Sequence, residues 1–215
     1  MQNLYETIRR IVQQELRQVR TAELAVVQEQ HPHAGDSDTD NYACTVVLRN
    51  SGLVLAQVPV ATQWIGQANI PNVGDLVLVQ FLGGDINGPI ITGRLYNDED
   101  RPPLNDKDQC VLYLPLGAAE SDAVRLTLTS GEERTLSFAL GNGLEITLRD
   151  DDPVVAILID GDKGTVQIDR DGAVTIKVGG DVTIESDGNI NMKGTEINVE
   201  ASSQLNLKGG TVNIN

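Results

Sequence analysis

Residues 180–200 read GDVTIESDGNINMKGTEINVE. Apolar residues stand two apart in this stretch, at Val182/Ile184, Ile190/Met192 and Ile197/Val199, with polar residues and Gly between them. Such alternation marks a half-buried strand, but each strand here has only two inward side chains to bury. The same unit continues in both directions, as Val166/Ile168 and Val174/Ile176 before it and Leu205/Leu207 and Val212/Ile214 after it. The pairs recur at steps of eight residues, slipping to seven twice. Gly or Asp fills most gaps, as in DRDG, VGGD, SDG and KGG. A fixed short period is the mark of a solenoid. Weaker strand signals precede it at Leu126/Leu128, Leu136/Phe138, Leu144/Ile146/Leu148 and Ile157/Ile159.

A one-chain β-helix needs several strands and corners per coil, about twenty residues or more. The short period here supplies one strand and one corner. That fits three units per coil in one chain, or three identical chains wound together with each supplying one face in rotation. The likeness of the units and their two inward side chains favour three chains. Backbone hydrogen bonds then run between chains, and no long sheet edge is left open. At ~4.8 Å per strand, roughly eleven units give a rod on the order of 50 Å long. Its core is Val166, Ile168, Val174, Ile176, Val182, Ile184, Ile190, Met192, Ile197, Val199, Leu205 and Leu207 from each copy.

The composition suits a narrow core. The 215-residue chain is 40% hydrophobic but only 3% aromatic, so Val, Ile and Leu must supply most of the buried area. A formal net charge of −15 argues against binding nucleic acid, which needs clustered Lys and Arg, and against adsorption to anionic membranes. Cys44 and Cys110 have no metal-ligand spacing and read as two buried free thiols. No apolar run is long enough to span a bilayer and no secretory leader is evident, so the expected site of synthesis is the cytoplasm.

Upstream of the repeat, residues 2–20 carry Leu4, Ile8, Ile11, Val12, Leu16 and Val19 at three- and four-residue steps, which predicts an amphipathic helix. A helix this short needs something to dock on: its own domain, another copy or a neighbouring protein. Residues 22–30 and 43–60 alternate like strands around the polar loop HPHAGDSDTDN. Then PNVGDLVLVQFLGGDINGPIITGRLYN, residues 71–97, gives a strand through Val77, Val79 and Phe81, a turn, and a return strand. Together these predict a small antiparallel barrel of about five strands. The charged, Pro-containing stretch 98–108 marks a boundary.

The barrel segment resembles the OB-fold domain of the baseplate spike family, which includes phage baseplate assembly protein V and VgrG-type spikes of contractile injection systems. The matching residues are Trp64, Pro71, Gly74, Asp75, Val77, Val79, Phe81, Gly83, Gly84, Asp85, Pro89, Gly93, Leu95, Tyr96 and Asn97. The order of helix, barrel and octad repeat fits as well. The expected architecture is mainly β: an N-terminal helix over 1–21, an OB-fold barrel over 22–97, a linker over 98–110 and an intertwined trimeric β-helix over 111–215. The resemblance implies a homotrimeric spike, assembled into the baseplate of a virion or injection particle. The barrel would face the hub and tube proteins, and the rod would make transient contact with the target cell envelope. Some family members carry a lysozyme domain, for which no segment is left here. The chain stops at TVNIN in mid-pattern and without His. The open end at Val212, Ile214 and Asn215 is expected to seat a PAAR-type tip protein, unless the chain is cut before its native tip.

No catalytic set, metal site or cofactor is expected. His31 and His33 form H-P-H on a barrel loop, where solvent exposure is the ordinary reading and a metal on a three-fold axis the sharper one. Glu132-Glu133 and Asp150-Asp151-Asp152 read as acidic turns, whereas glycoside hydrolysis needs two carboxylates opposed in a cleft. The G-x-G of ALGNGLEI lacks a Rossmann setting and reads as a turn. An OB-fold binding module on a solenoid stalk is a rival reading, but the acidity and scarce aromatics disfavour it. A carbohydrate-active β-helix protein is another, and it would need a longer coil and aromatic sugar platforms.

Overall fold

In the computed structural model, residues 2–16, 20–161 and 163–213 are described. Helix α1 spans Gln2–Leu16. Val19, Ile214 and Asn215 lie outside the described residues. Five strands follow: β1 (Ala22–His31), β2 (Ala43–Leu48), β3 (Val54–Pro59), β4 (Leu76–Phe81) and β5 (Pro89–Leu95). They form one sheet in the order β3-β2-β1-β4-β5, antiparallel at every pairing. The sheet curls until its two edges meet. Val60, just past β3, makes a parallel bridge to Ile91 of β5, and the Ala61 amide donates to the Ile91 carbonyl at 2.8 Å. Edge closure of this kind removes strand edges that would otherwise recruit other chains.

Alternation dictates the barrel core. Ala25 and Val27 of β1, Cys44, Val46 and Leu48 of β2, and Val77, Val79 and Phe81 of β4 point inward, with Val58 and Ile91 completing the cluster. Phe81 is its one aromatic. The Arg20 guanidinium lies over that ring at 5.9 Å, within cation–π range.

The second unit is a meander of seven strands: β6 (Gln109–Leu114), β7 (Val124–Ser130), β8 (Arg134–Leu140), β9 (Leu144–Arg149), β10 (Val155–Ile159), β11 (Gly164–Ile168) and β12 (Val174–Val178). Each pairs antiparallel with its neighbours in sequence, giving an open sheet from β6 to β12. The first strand thus begins at Gln109, slightly before the expected boundary.

This pairing corrects the expectation for the first two octads. Val166/Ile168 and Val174/Ile176 were expected on ladders between chains, and they lie instead on β11 and β12 of one chain's own sheet, as a hairpin. The cause is the DRDG turn. Gly172 takes φ 88°, its amide donates to the Asp169 carbonyl at 3.0 Å, and the Asp169 amide donates to the Ala173 carbonyl at 2.9 Å. A strand plus a tight reversal has much the same length as a strand plus a corner, so the period alone does not separate them.

After Val178 the ladder ends. The Gly179 amide still donates to the Lys163 carbonyl at 2.8 Å, but among the described residues no strand is formed over 180–213. The side chains of Val182, Ile184, Ile190, Met192, Ile197, Val199, Leu205, Leu207 and Val212 are exposed in the single chain.

Candidate interaction site

Residues directly opposite in a ladder share a face of the sheet. In the meander this places three rows on one face. The middle row runs Leu112, Leu126, Phe138, Ile146, Ile157, Val166 and Ile176. One flanking row is Leu114, Val124, Leu140, Leu144, Ile159, Gly164 and Val178. The other is Cys110, Leu128, Leu136, Leu148, Val155, Ile168 and Val174. No position in the three rows is polar. The opposite face carries Arg125, Thr127, Ser137, Glu145, Thr147, Gln167 and Lys177 among others.

The apolar face is the open one. On the inner strands Leu128, Leu136 and Leu148 are 39–45% exposed and the middle row from Leu126 to Val166 is half-buried, whereas Thr147 and Ala156 on the polar face are buried. A monomeric soluble protein rarely leaves so large a continuous apolar surface uncovered. Cys110 shares this condition. It was expected to be buried, but it stands on edge strand β6 in an uncovered row and is exposed, while Cys44 is buried in the barrel. Burial pushes the Cys44 thiol up from its ordinary value, with Arg94 opposing and Asp75 adding to the shift.

The barrel motif does architectural work. Pro71 is buried, and its carbonyl accepts a hydrogen bond from Gln30 Nε2 at 2.7 Å. Gly74 has φ 96°, a conformation that favours glycine, and its amide donates to the Val27 carbonyl at 2.9 Å. Asp75 accepts from the Asn72 amide at 2.8 Å and faces Arg94 at 3.5 Å. Gly83 and Gly84 take positive φ in the turn after β4, and Asp85 caps that turn by accepting from the Asn87 amide at 2.9 Å. Pro89 pairs with Phe81, and Gly93 pairs with Leu78 beside a bulge. Asn97 turns the chain out of the barrel by accepting from the amides of Glu99 and Asp100 at 2.7 and 2.8 Å. Trp64 is not a core residue. It is 63% exposed on a loop tied by Thr62, whose hydroxyl donates to the Trp64 carbonyl at 3.0 Å. Tyr96 is also exposed.

Two cations escaped the sequence reading. Arg94 joins Asp75 to the Asn69 carbonyl, and Arg20 fixes the chain entering β1 to Phe81 and Gly84. The partners of Arg94, and the Phe81 ring under Arg20, lie far away in the chain and leave no local signal, whereas Glu23, which also pairs with Arg20, is only three residues on.

The histidines divide. His31 ends β1, is partly buried and lies 2.9 Å from the Thr45 hydroxyl, so the strand extends further than the loop reading allowed. His33 is exposed and lies 2.9 Å from Asp38. Asp152, in the turn between β9 and β10, accepts from the Arg170 amide of the β11–β12 turn at 2.6 Å, and the G-x-G of residues 141–143 forms the reversal between β8 and β9. Asp150 clamps the start of β8, accepting from the Arg134 amide at 3.0 Å and from its Nε at 2.7 Å. The Arg134 side chain, then its amide, hold the Asp150 carboxyl below the ordinary 3.8, against slight desolvation. A depressed carboxyl contributes stability above its unfolded pKa and loses it as pH falls through the folded value. A carbon-detected NMR titration should place Asp150 below 3.8, and Arg134→Gln should return it towards that value. An unmoved midpoint in that variant would break the assignment.

Comparison with known proteins defines the class first. Residues 44–96 match the family model described as the type VI secretion system/phage-baseplate injector OB domain. The match covers β2 through β5 and most of the motif above. The barrel segment is therefore similar to the OB domain of VgrG-like baseplate spikes. Particular relatives are type VI secretion system spike proteins of Pseudomonas aeruginosa. It is 39% identical to VgrG2a over 59 residues, covering 26% of this chain and 7% of that protein. It is 34% identical to VgrG1a over 86 residues, covering 40% of this chain and 11% of that protein. The similarity thus spans only a small part of the length of these relatives.

Proposed function

We propose that the chain is the structural central spike of a contractile baseplate, working as a homotrimeric needle without enzymatic activity. The uncovered three-row face of the meander carries this reading. Nothing among the described residues covers it, and two further copies would. Three such sheets, apolar faces inward, make a three-sided prism on the order of 30 Å tall from seven stacked strands. The interior is then Val, Ile and Leu apart from Cys110, Gly164 and Phe138, the one aromatic row member, which suits a narrow axis. Beyond Val178 the octads from Val182 to Leu207 extend the shaft by winding around the two partner chains, which gives their exposed apolar pairs a core. The barrel end meets hub and tube proteins. The distal end, at Val212, Ile214 and Asn215, seats a PAAR-type tip. The assembled needle is pushed through the target envelope. Among the described residues no helix is long and apolar enough to cross a membrane.

Light scattering and thiol labelling of the purified chain test the trimer together. The expected mass is three times 23.1 kDa. Cys110, exposed on the single chain, becomes part of the covered interior and should react with a thiol reagent only after dissociation. A folded single chain with one promptly reactive thiol would overturn the spike reading.

A further inference from the structure

We infer that the helices α1 of three copies pack together as a parallel three-helix bundle at the barrel end of the spike; this rests on the trimer proposed above. The apolar residues of the helix remain largely uncovered on the single chain: Leu4 is 67% exposed, Ile8 52%, Ile11 55% and Val12 49%. Assigning Ile8 to heptad position a puts Leu4 and Ile11 at d, and Tyr5 and Val12 at e, so the seam runs from Leu4 to Val12 and ends before Glu15, which falls at a, and Leu16, which falls at b. A stripe over a, d and e is that of a helix within a bundle, wider than the seam of a two-stranded coil. Isoleucine at both a and d shifts preference from two strands to three or four.

The start of the barrel supplies the geometry. The Arg20 amide donates to the Gly84 carbonyl at 3.3 Å, and the Phe81 amide donates to the Thr21 carbonyl at 3.1 Å. Arg20 and Thr21, where the chain enters β1, are therefore fixed to the turn after β4. A three-fold axis through three barrels presents these anchor points equivalently, and symmetry makes the helices parallel. Charge favours self-association over other occupants. The chain carries −15 overall, but residues 2–16 balance Glu6 and Glu15 with Arg9 and Arg10, so the helices of three copies meet without net repulsion. The same balance disfavours a lipid surface, for which an interfacial helix is rich in Lys and Arg.

The test is oxidative cross-linking of the full chain, without any partner protein, in a Cys110→Ala background. Ile11→Cys, in the seam, is compared with Arg9→Cys, at outward position b, and the mass of each variant is measured before oxidation. The expected result is a trimer in both, with disulfide-linked dimers taking up about two-thirds of the chains for Ile11→Cys, since two of three thiols at one level can pair. Arg9→Cys should give a several-fold smaller fraction. A trimer in which Ile11→Cys links no better than Arg9→Cys overturns the bundle and leaves the spike standing, with the helix serving a hub protein instead. A chain that is monomeric in both variants overturns the bundle and the trimer alike.

Discussion

Ile146→Asp is expected to abolish the trimer. Ile146 sits on β9, the central strand of seven, and in the middle of the three apolar rows, opposite Phe138 and Ile157. In the proposed prism its three copies face one another near the axis. The substitution puts three carboxylates into one dry space with no cation in the rows to pair with them. An unpaired buried charge costs several kcal/mol even after relaxation, and here the cost is incurred three times within one assembly. Protonation of the carboxyls would offset part of this at neutral pH, but three neutral acids still lack donors around them. The expected result is a chain running as a monomer on a sizing column, with Cys110 open to thiol reagents and its heat resistance lost. Thr175→Asp is the control, because Thr175 lies on the polar face of β12 and is exposed. It adds the same charge and should leave the trimer intact. An Ile146→Asp chain that stays trimeric with an unchanged melting temperature would place the apolar face outside the assembly interface.

The same face shows why part of this fold can be read from sequence and part cannot. Period-two alternation identifies each strand and its apolar side, so Leu126/Leu128, Leu136/Phe138 and Ile157/Ile159 stand out from the residues alone. The barrel is legible for a similar reason: Val77, Val79 and Phe81 alternate, and the Gly residues around them mark turns. What alternation lacks is the identity of the neighbouring strand. Val166/Ile168 and Val174/Ile176 carry the same pattern as Val182/Ile184, yet the first four lie in a hairpin and the last two lie past the end of the ladder. The difference rests on the turn. DRDG holds a left-handed Gly172 between two backbone hydrogen bonds, whereas after VGGD the chain leaves the sheet. Long-range polar contacts are invisible for a different reason. Arg94 reaches Asp75 and Asn69 across the barrel, and nothing in the residues beside it signals either partner. Cys110 departs from expectation because a cysteine among apolar residues reads as buried, while its actual burial depends on whether other copies cover an edge strand.

Gly141→Ala should be the most damaging small substitution within one chain, and it tests the meander independently of assembly. Gly141 begins the reversal between β8 and β9, where the segment between β6 and β7 crosses close above it. A Cβ built at Gly141 would stand 2.1 Å from the Ser121 carbonyl carbon, 2.2 Å from the Ser121 oxygen and 2.5 Å from the Glu120 oxygen. These are backbone atoms, so no rotamer change relieves the clash. The Glu120–Asp122 turn is itself held in place, since the Ala123 carbonyl accepts from the Gly141 amide at 2.9 Å and Ala123 is buried. Moving the turn away would break that hydrogen bond and uncover Ala123, while moving Gly141 would shift the β8–β9 register that aligns all three apolar rows. A loss of about 3 kcal/mol is expected, the scale of strong overpacking. For a chain of this size that corresponds to a fall of roughly 6–12 °C in melting temperature. Gly131→Ala, in the turn between β7 and β8, is the matched control. Its Cβ would meet nothing within 4 Å, and its φ lies outside the left-handed region. It should change stability by no more than about 0.5 kcal/mol, as surface substitutions usually do. Equal melting temperatures for the two variants would mean that the 115–123 segment does not pack on Gly141.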